Sequence, residues 1–424
     1  MYTKGFRCFK CGKTSPLLPD EQFQPKTCAD CSAMLLIDYD YDSIRQYLKK
    51  EDLRRRASTI WRYSELLPIR DASNMITRGE GGTPVLPLKR LRTSLGLENI
   101  YLKDESVLPF STFRSRAAAV CVSRARESGA RTLAVRANST EAYAWACYAA
   151  YAGLELVLLS YRGSMLPQIR AAVLATGARL YLHDGDMAEA EKLMARSAAA
   201  HGWYHVLSTH DPIAMEGWKT LAFEVAESFK WDIPATVLCP VDRDGMFRGL
   251  YRGLREMQQL GWIPSTLPRL VAVQGEDWHP VVTAWQEKKK EIVPPPPPAY
   301  AYVPETSKRE PTREEEALSF DSQSAAFVLD AIYKSLGCAM MVTEEEVAAA
   351  KASLAAQEGI IASRSGAATL AALHRLQNEG WIDKTGHVLL LSPDQGLREF
   401  PAQFEPGPGA DPLLVNLGSE TLPA

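Results

Sequence analysis

Short apolar runs alternate with longer Ala-rich segments through most of the chain, and this alternation predicts its elements. Residues 99–103 read as a strand, 113–128 as a helix and 131–135 as a strand. Helix 141–152, strand 155–160, helix 167–176 and strand 179–182 continue the series. The rhythm resumes with strand 236–241, helix 246–260 and strand 269–274. It closes with helices over 322–336, 344–357 and 366–379 and a strand at 388–391. Parallel strands need crossover connections, which helices supply, so the pattern gives an α/β fold with a mainly parallel sheet. Ahead of it, 41–65 reads as a charged helical stretch with Arg54, Arg55 and Arg56 on a solvated face. Residues 288–312 interrupt the rhythm with three lysines and then five prolines, Pro294 to Pro298. Consecutive prolines favour polyproline II and exclude helix or central strand. The segment reads as an extended surface loop, with a docking peptide for a partner protein as the other use. Residues 406–424 read as a loose tail.

Length and composition narrow the class. A chain of 424 residues suggests two to three domains. Its 46% hydrophobic and 23% charged content is that of a globular protein with a sizeable core. Forty-eight basic residues against 51 acidic ones give a net charge of −3. That balance argues against a dedicated nucleic-acid or anionic-membrane binder. No apolar run meets the length of a membrane span, and the first residues carry no apolar signal core. The expected location is cytoplasmic.

Four of the eight cysteines are grouped. Cys8-Phe9-Lys10-Cys11 is followed, after sixteen residues, by Cys28-Ala29-Asp30-Cys31. Two residues between cysteines make a tight knuckle that aims both thiolates at one ion, and two knuckles close a tetrahedral shell. A closed shell of four thiolates leaves no open position, so the expected zinc is structural. The alternative is two pairs of reduced or redox-active thiols. Cys121, Cys147, Cys239 and Cys338 stand alone among mostly apolar neighbours and read as buried thiols.

Two segments then become recognisable. Glu80-Gly81-Gly82-Thr83-Pro84 and Tyr101-Leu102-Lys103-Asp104-Glu105 resemble the E-G-G-T-P and Y-L-K-D-E segments of threonine synthases, pyridoxal-phosphate enzymes of fold type II. Some members also carry an N-terminal zinc ribbon. The likeness extends through Glu216-Gly217-Trp218-Lys219-Thr220, the 268–274 run and Glu379-Gly380-Trp381. It implies a tryptophan-synthase-beta-like architecture of two α/β domains plus the ribbon. The expected divisions are a ribbon at 1–40, a large domain at 41–108 and 201–405, and a small domain at 109–200. Homodimerisation is implied by the family alone.

The resemblance breaks where chemistry should be. The family's Schiff-base lysine, in S-F-K-D-R, corresponds to Arg114 in Thr112-Phe113-Arg114-Ser115-Arg116. A guanidinium stays protonated near neutrality and delocalises its lone pairs, so it cannot attack an aldehyde as an amine does. The Asn of the family's S-x-G-N-T loop corresponds to Thr140, with Asn138 two positions out of register. The glycine-rich phosphate cradle has become Asp242-Arg243-Asp244-Gly245, adding like charge and bulk where glycines would let a phosphate approach. The Thr of L-T-G-H-G-L corresponds to Pro393, which has no hydroxyl. Lys103 and Lys219 match scaffold positions rather than newly recruited amines.

These four changes predict a catalytically degenerate, threonine-synthase-like pseudoenzyme that does not use pyridoxal phosphate and acts as a structural, scaffold or regulatory subunit. It would work with a protein partner, a second copy, or both. The alternative is a divergent pyridoxal-dependent lyase or transferase acting on an amino acid. A third reading takes Arg114, Arg136, Arg243 and Arg364 as a cleft for a small anion, gripped by guanidinium forks. Against it, arginines that fill an emptied cleft must be paired with carboxylates, and Asp104, Asp242 and Asp244 are at hand.

Overall fold

A computed structural model of the chain describes residues 2–16, 27–161, 165, 167–183, 187–207, 211–241, 245–291 and 322–398. The N-terminal segment forms β1 (Thr3–Cys8), β2 (Thr14–Pro16) and β3 (Leu35–Tyr39), an antiparallel ribbon in the order β2-β1-β3. Its alternating burial turns Phe6, Cys8, Leu35, Ile37 and Tyr39 inward. These side chains join the same continuous core as Phe223, Leu250 and Phe327. The ribbon is therefore packed into the main body and has no separate core of its own.

The predicted alternation builds two further sheets. One contains β4 (Val85–Pro87), β5 (Asn99–Asp104), β10 (Thr236–Pro240), β11 (Arg269–Gly275), β12 (Cys338–Val342) and β13 (His387–Ser392), in the order β12-β11-β10-β13-β5-β4. All its neighbours run parallel except β4, which is antiparallel to β5. The other holds β6 (Thr132–Arg136), β7 (Glu155–Tyr161), β8 (Arg179–His183) and β9 (Tyr204–Val206), all parallel in the order β8-β7-β6-β9. Strands β6 and β10 are buried at every position, as expected of parallel strands covered on both faces. Because β9 completes the smaller sheet, that sheet reaches beyond residue 200.

Helices cover these sheets: α1 (Tyr41–Tyr47), α2 (Lys89–Leu95), α3 (Ser115–Glu127), α4 (Ser139–Tyr151), α5 (Pro167–Ala175), α6 (Met187–His201) and α7 (Pro212–Trp218) in the first half. Then come α8 (Thr220–Ser228), α9 (Gly245–Leu260), α10 (Pro280–Gln286), α11 (Ser322–Lys334), α12 (Glu344–Ser353) and α13 (Arg364–Asn378). The charged helical stretch expected over 41–65 is broken into three pieces. Helix α1 ends at Tyr47, and the remainder is two 3-10 turns, at Lys50–Arg55 and Ile60–Leu66. Asp242, Arg243, Asp244, most of the Pro-rich segment and the tail lie outside the described residues.

Two contacts locate the cleft. Strands β5 and β13 are paired up to Asp104 and Ser392, so the residues that follow each strand leave at one rim. Beyond it, Phe113 N donates to Pro393 O at 3.0 Å and Gln395 N to Ser111 O at 3.3 Å. Ligand sites of α/β sheets lie outside such strand ends, and all the altered motif positions among the described residues are near this rim or at the start of a following helix.

Candidate functional site

The ribbon ends in two matched knuckles. Gly12 N donates to Cys8 O and Ser32 N to Cys28 O, and both Gly12 and Ser32 adopt positive φ, +75° and +54°. This turn brings the thiols together: Cys8 Sγ lies 3.5 Å from Cys31 Sγ and Cys11 Sγ 3.7 Å from Cys28 Sγ. Tetrahedral zinc with bonds of about 2.3 Å separates its sulfurs by about 3.8 Å. The four cysteines, all free thiols with ligand atoms within 4.8 Å of one another, fit a structural zinc ion. Of the other four, Cys121, Cys239 and Cys338 are buried, and Cys147 is half-buried.

Arg114 caps the N-terminal end of α3 at the cleft, 7% exposed. Its Nη1 lies 3.3 Å from Asp394 Oδ2 and its Nε 3.7 Å from Glu141 Oε2. Its guanidinium stands over the Phe113 ring, 5.5 Å from the centroid. Glu141 is in the first turn of α4, where the helix dipole favours an anion. Arg114 therefore ties the loop after β13 to a helix of the smaller sheet. The expected partner Asp104 is engaged elsewhere, accepting from Ser106 N at 3.0 Å. Thr140 lies one residue before Glu141, in that same first turn. Pro393 is buried and offers its carbonyl to Phe113. Asn138 Oδ1 accepts from Ser160 Oγ and Tyr161 N, which ties it to the end of β7. Gly245 starts α9 against the Trp218 ring, where a Cβ would come within 3.0 Å of that ring.

Sequence reasoning missed Glu141 and Asp394. A signal was present, because the altered family motifs all converge on one ligand. Carboxylates beside Thr140 and Pro393 are therefore near Arg114 whatever the sequence distance.

Below the rim lies a second, fully buried group. Arg116 donates to Glu105 from Nε at 2.6 Å and to Glu224 from Nη1 at 2.6 Å. Lys103 Nζ donates to Glu224 Oε2 at 3.0 Å and to Thr83 O at 2.6 Å. Burial pushes the Glu224 carboxyl up, but the Arg116 and Lys103 charges and hydrogen bonds outweigh it and hold it well below the usual range. Lys219, also fully buried, is paired with Glu216 and lies 2.8 Å from Glu256 Oε2. Both interior lysines are thus held in buried ion pairs with carboxylates.

The other two described arginines meet different carboxylates. Arg136 Nε lies 2.7 Å from Glu191 Oε2, while His205 Nε2 is 3.1 Å from Glu191 Oε1. Arg364 is paired with Asp277 at 3.3 Å and with Glu344. Arg243 is outside the described residues.

Residues 76–394 match the family model described as pyridoxal-phosphate dependent enzyme. The chain belongs to the pyridoxal-phosphate-dependent enzyme family. It is 31% identical over 394 residues to the threonine synthase of Methanocaldococcus jannaschii, covering 93% of this chain and 92% of that protein. It is also 31% identical to the threonine synthase of Methanosarcina acetivorans, over 90% and 91% of the two chains. Among solved structures, maize serine racemase superposes with a TM-score of 0.60 at 15% identity, over 74% of this chain and 88% of that one. O-ureido-L-serine synthase gives 0.57 at 20% identity, over 78% and 94%. These structural likenesses place the fold in type II of the pyridoxal-phosphate enzymes.

Within that family, the described residues do not fit pyridoxal phosphate bound as a Schiff base at position 114. The side chain there has no amine, and its guanidinium is hydrogen-bonded to Asp394 with Glu141 as a second ion-pair partner. No described helix is long and apolar enough to cross a membrane.

Proposed function

We propose that this chain is a threonine-synthase-like pseudoenzyme in which an arginine clamp replaces the cofactor linkage. It serves as a structural or regulatory subunit, with a partner protein or a second copy of itself. The observation that carries the reading is Arg114 held between Asp394 and Glu141. An enzyme that retained Schiff-base chemistry by another route would need a desolvated, uncharged lysine near the cleft. Lys103 and Lys219 are instead buried in ion pairs.

The second reading is a divergent pyridoxal-dependent enzyme acting on an amino acid, and the comparisons favour it. Likeness to two threonine synthases over nine-tenths of the chain is what enzymes of one activity share. Against it stands one chemical requirement, an amine at the aldehyde carbon, which Arg114 does not meet.

One experiment separates the two. The purified full-length protein is incubated with pyridoxal phosphate, weighed in its native state, reduced with borohydride, denatured, weighed again and mapped by peptides. The pseudoenzyme reading expects no stoichiometric adduct, with zinc and any partner or second copy visible in the native mass. A near-stoichiometric adduct at a single lysine overturns it and establishes the second reading.

A further inference from the structure

The ribbon and the cleft are joined by one short helix, α7. On the ribbon side, the two knuckles close around Met34: its carbonyl accepts from Phe9 N at 3.1 Å, and its backbone bridges Thr27. Met34 Sδ accepts from Arg248 Nη1 at 3.4 Å. The buried Arg248 guanidinium stands over the ring of Trp218, the last residue of α7, 5.5 Å from its centroid. A second contact reaches the same helix, since Tyr39 Oη at the end of β3 donates to Glu216 Oε2 at 2.5 Å.

On the cleft side, α7 abuts the turn that carries Arg114. The Trp218 and Phe113 rings are 6.3 Å apart, and Arg114 stands over Phe113. Gly217 packs so closely on α3 that a Cβ there would lie 2.3 Å from Arg116 O. Backbone packed at this distance has no slack, so a shift of α7 must move the start of α3.

We propose that metal occupancy of the four-cysteine site controls the order of the cleft, with Met34, Tyr39, Arg248, Glu216 and Trp218 acting as positioning residues that carry the effect. A four-thiolate ribbon is folded by its metal, because the ligand set is not assembled without it. Losing the ion releases the knuckles, and with them the two side chains that fix α7. The cleft then loses one wall of its support. The inference holds whether or not the cleft is catalytic.

Site-resolved hydrogen exchange on the full-length zinc-loaded protein, before and after chelation, tests it. The reporting amides are Phe113 and Gln395, which bridge the rim, with the amides of β7 as the control. The expected result is exchange about tenfold faster at both rim amides, with β7 unchanged. Unchanged rim amides overturn the proposal. Equal loss in β7 also overturns it, because the metal would then support the whole fold rather than this route. Arg248→Met, examined with zinc bound, provides the second arm. Faster exchange at the rim with undiminished zinc content supports the route through Arg248, and rim protection equal to the parent protein refutes it.

Discussion

Arg114 and Arg116 stand two positions apart at the start of one helix and occupy opposite electrostatic situations. Arg116 has no exposure and completes a neutral group of two cations, itself and Lys103, with two carboxylates, Glu105 and Glu224. Its shortest ion-pair distances are 2.6 Å. Arg114 makes longer contacts, 3.3 and 3.7 Å, to side chains that remain 25% and 15% exposed. Lys103, Glu105 and Arg116 of the first group lie in the segments that resemble the family's, and Arg114 stands where that resemblance implies the Schiff-base lysine. The difference teaches that one helix start can hold both a guanidinium sealed among its carboxylates and one whose partners still reach water.

The largest expected effect is at the scaffold arginine. Arg116→Met removes the cation shared by Glu105 and Glu224 and leaves Lys103 to neutralise two buried carboxylates alone. Breaking a buried pair from one side costs about 3–5 kcal/mol. Equilibrium urea unfolding should show a loss of that size, or no folded protein should be recovered. A loss under about 1 kcal/mol would mean that the buried group is far wetter than its burial implies.

Arg114→Ala should be milder. Its partners reach water, so each carboxylate can be rehydrated when the guanidinium is gone, and a loss of about 1–2 kcal/mol is expected in the same titration. If this change cost as much as Arg116→Met, the clamp would belong to the scaffold and the contrast between the two arginines would collapse. If it cost nothing, the pair would hold no load across the cleft, and the clamp reading would lose its physical basis.

Most of the architecture was legible because parallel strands covered on both faces leave a plain mark, the unbroken apolar stretches Leu133–Val135 and Val237–Cys239 inside strands buried at every position. The segment 41–65 was misread. Ile60, Tyr63 and Leu66 are all buried, and the backbone kinks at Tyr63 between two short helical turns. The zinc ligands were legible from spacing alone, since each knuckle is local. The partners of Arg114 were legible only through the family motifs that converge on one ligand, because Glu141 and Asp394 come from two other parts of the chain. Pairing there depends on which elements meet at the rim, and local pattern does not encode that. The buried Lys103–Glu105–Arg116–Glu224 group was half visible: its lysine read as scaffold, but nothing local links position 224 to position 116.

The smallest effect tests a third arginine, Arg136, against the other two. Its partner Glu191 is buried, which raises its carboxyl, but the hydrogen bond from His205 and the Arg136 charge outweigh burial and hold it down to about 2. A carboxyl whose folded pKa is depressed stabilises the fold above its unfolded value, about 4.3. That contribution is lost as pH falls toward 2. Glu191→Gln should therefore flatten the fall in unfolding midpoint between about pH 4.5 and 2, while leaving the profile above pH 5 parallel to that of the parent. Gln keeps the shape of Glu191 and removes only its charge, at a side chain 26% exposed, so the difference should stay below that of Arg114→Ala, which removes a whole side chain. An unchanged acid profile would place Glu191 with ordinary surface carboxylates. The charges at the C-terminal end of β6 would then be uncoupled from the stability of the smaller sheet, and Arg114 would be the one described arginine of the cleft whose pairing joins that sheet's helices to the loop after β13.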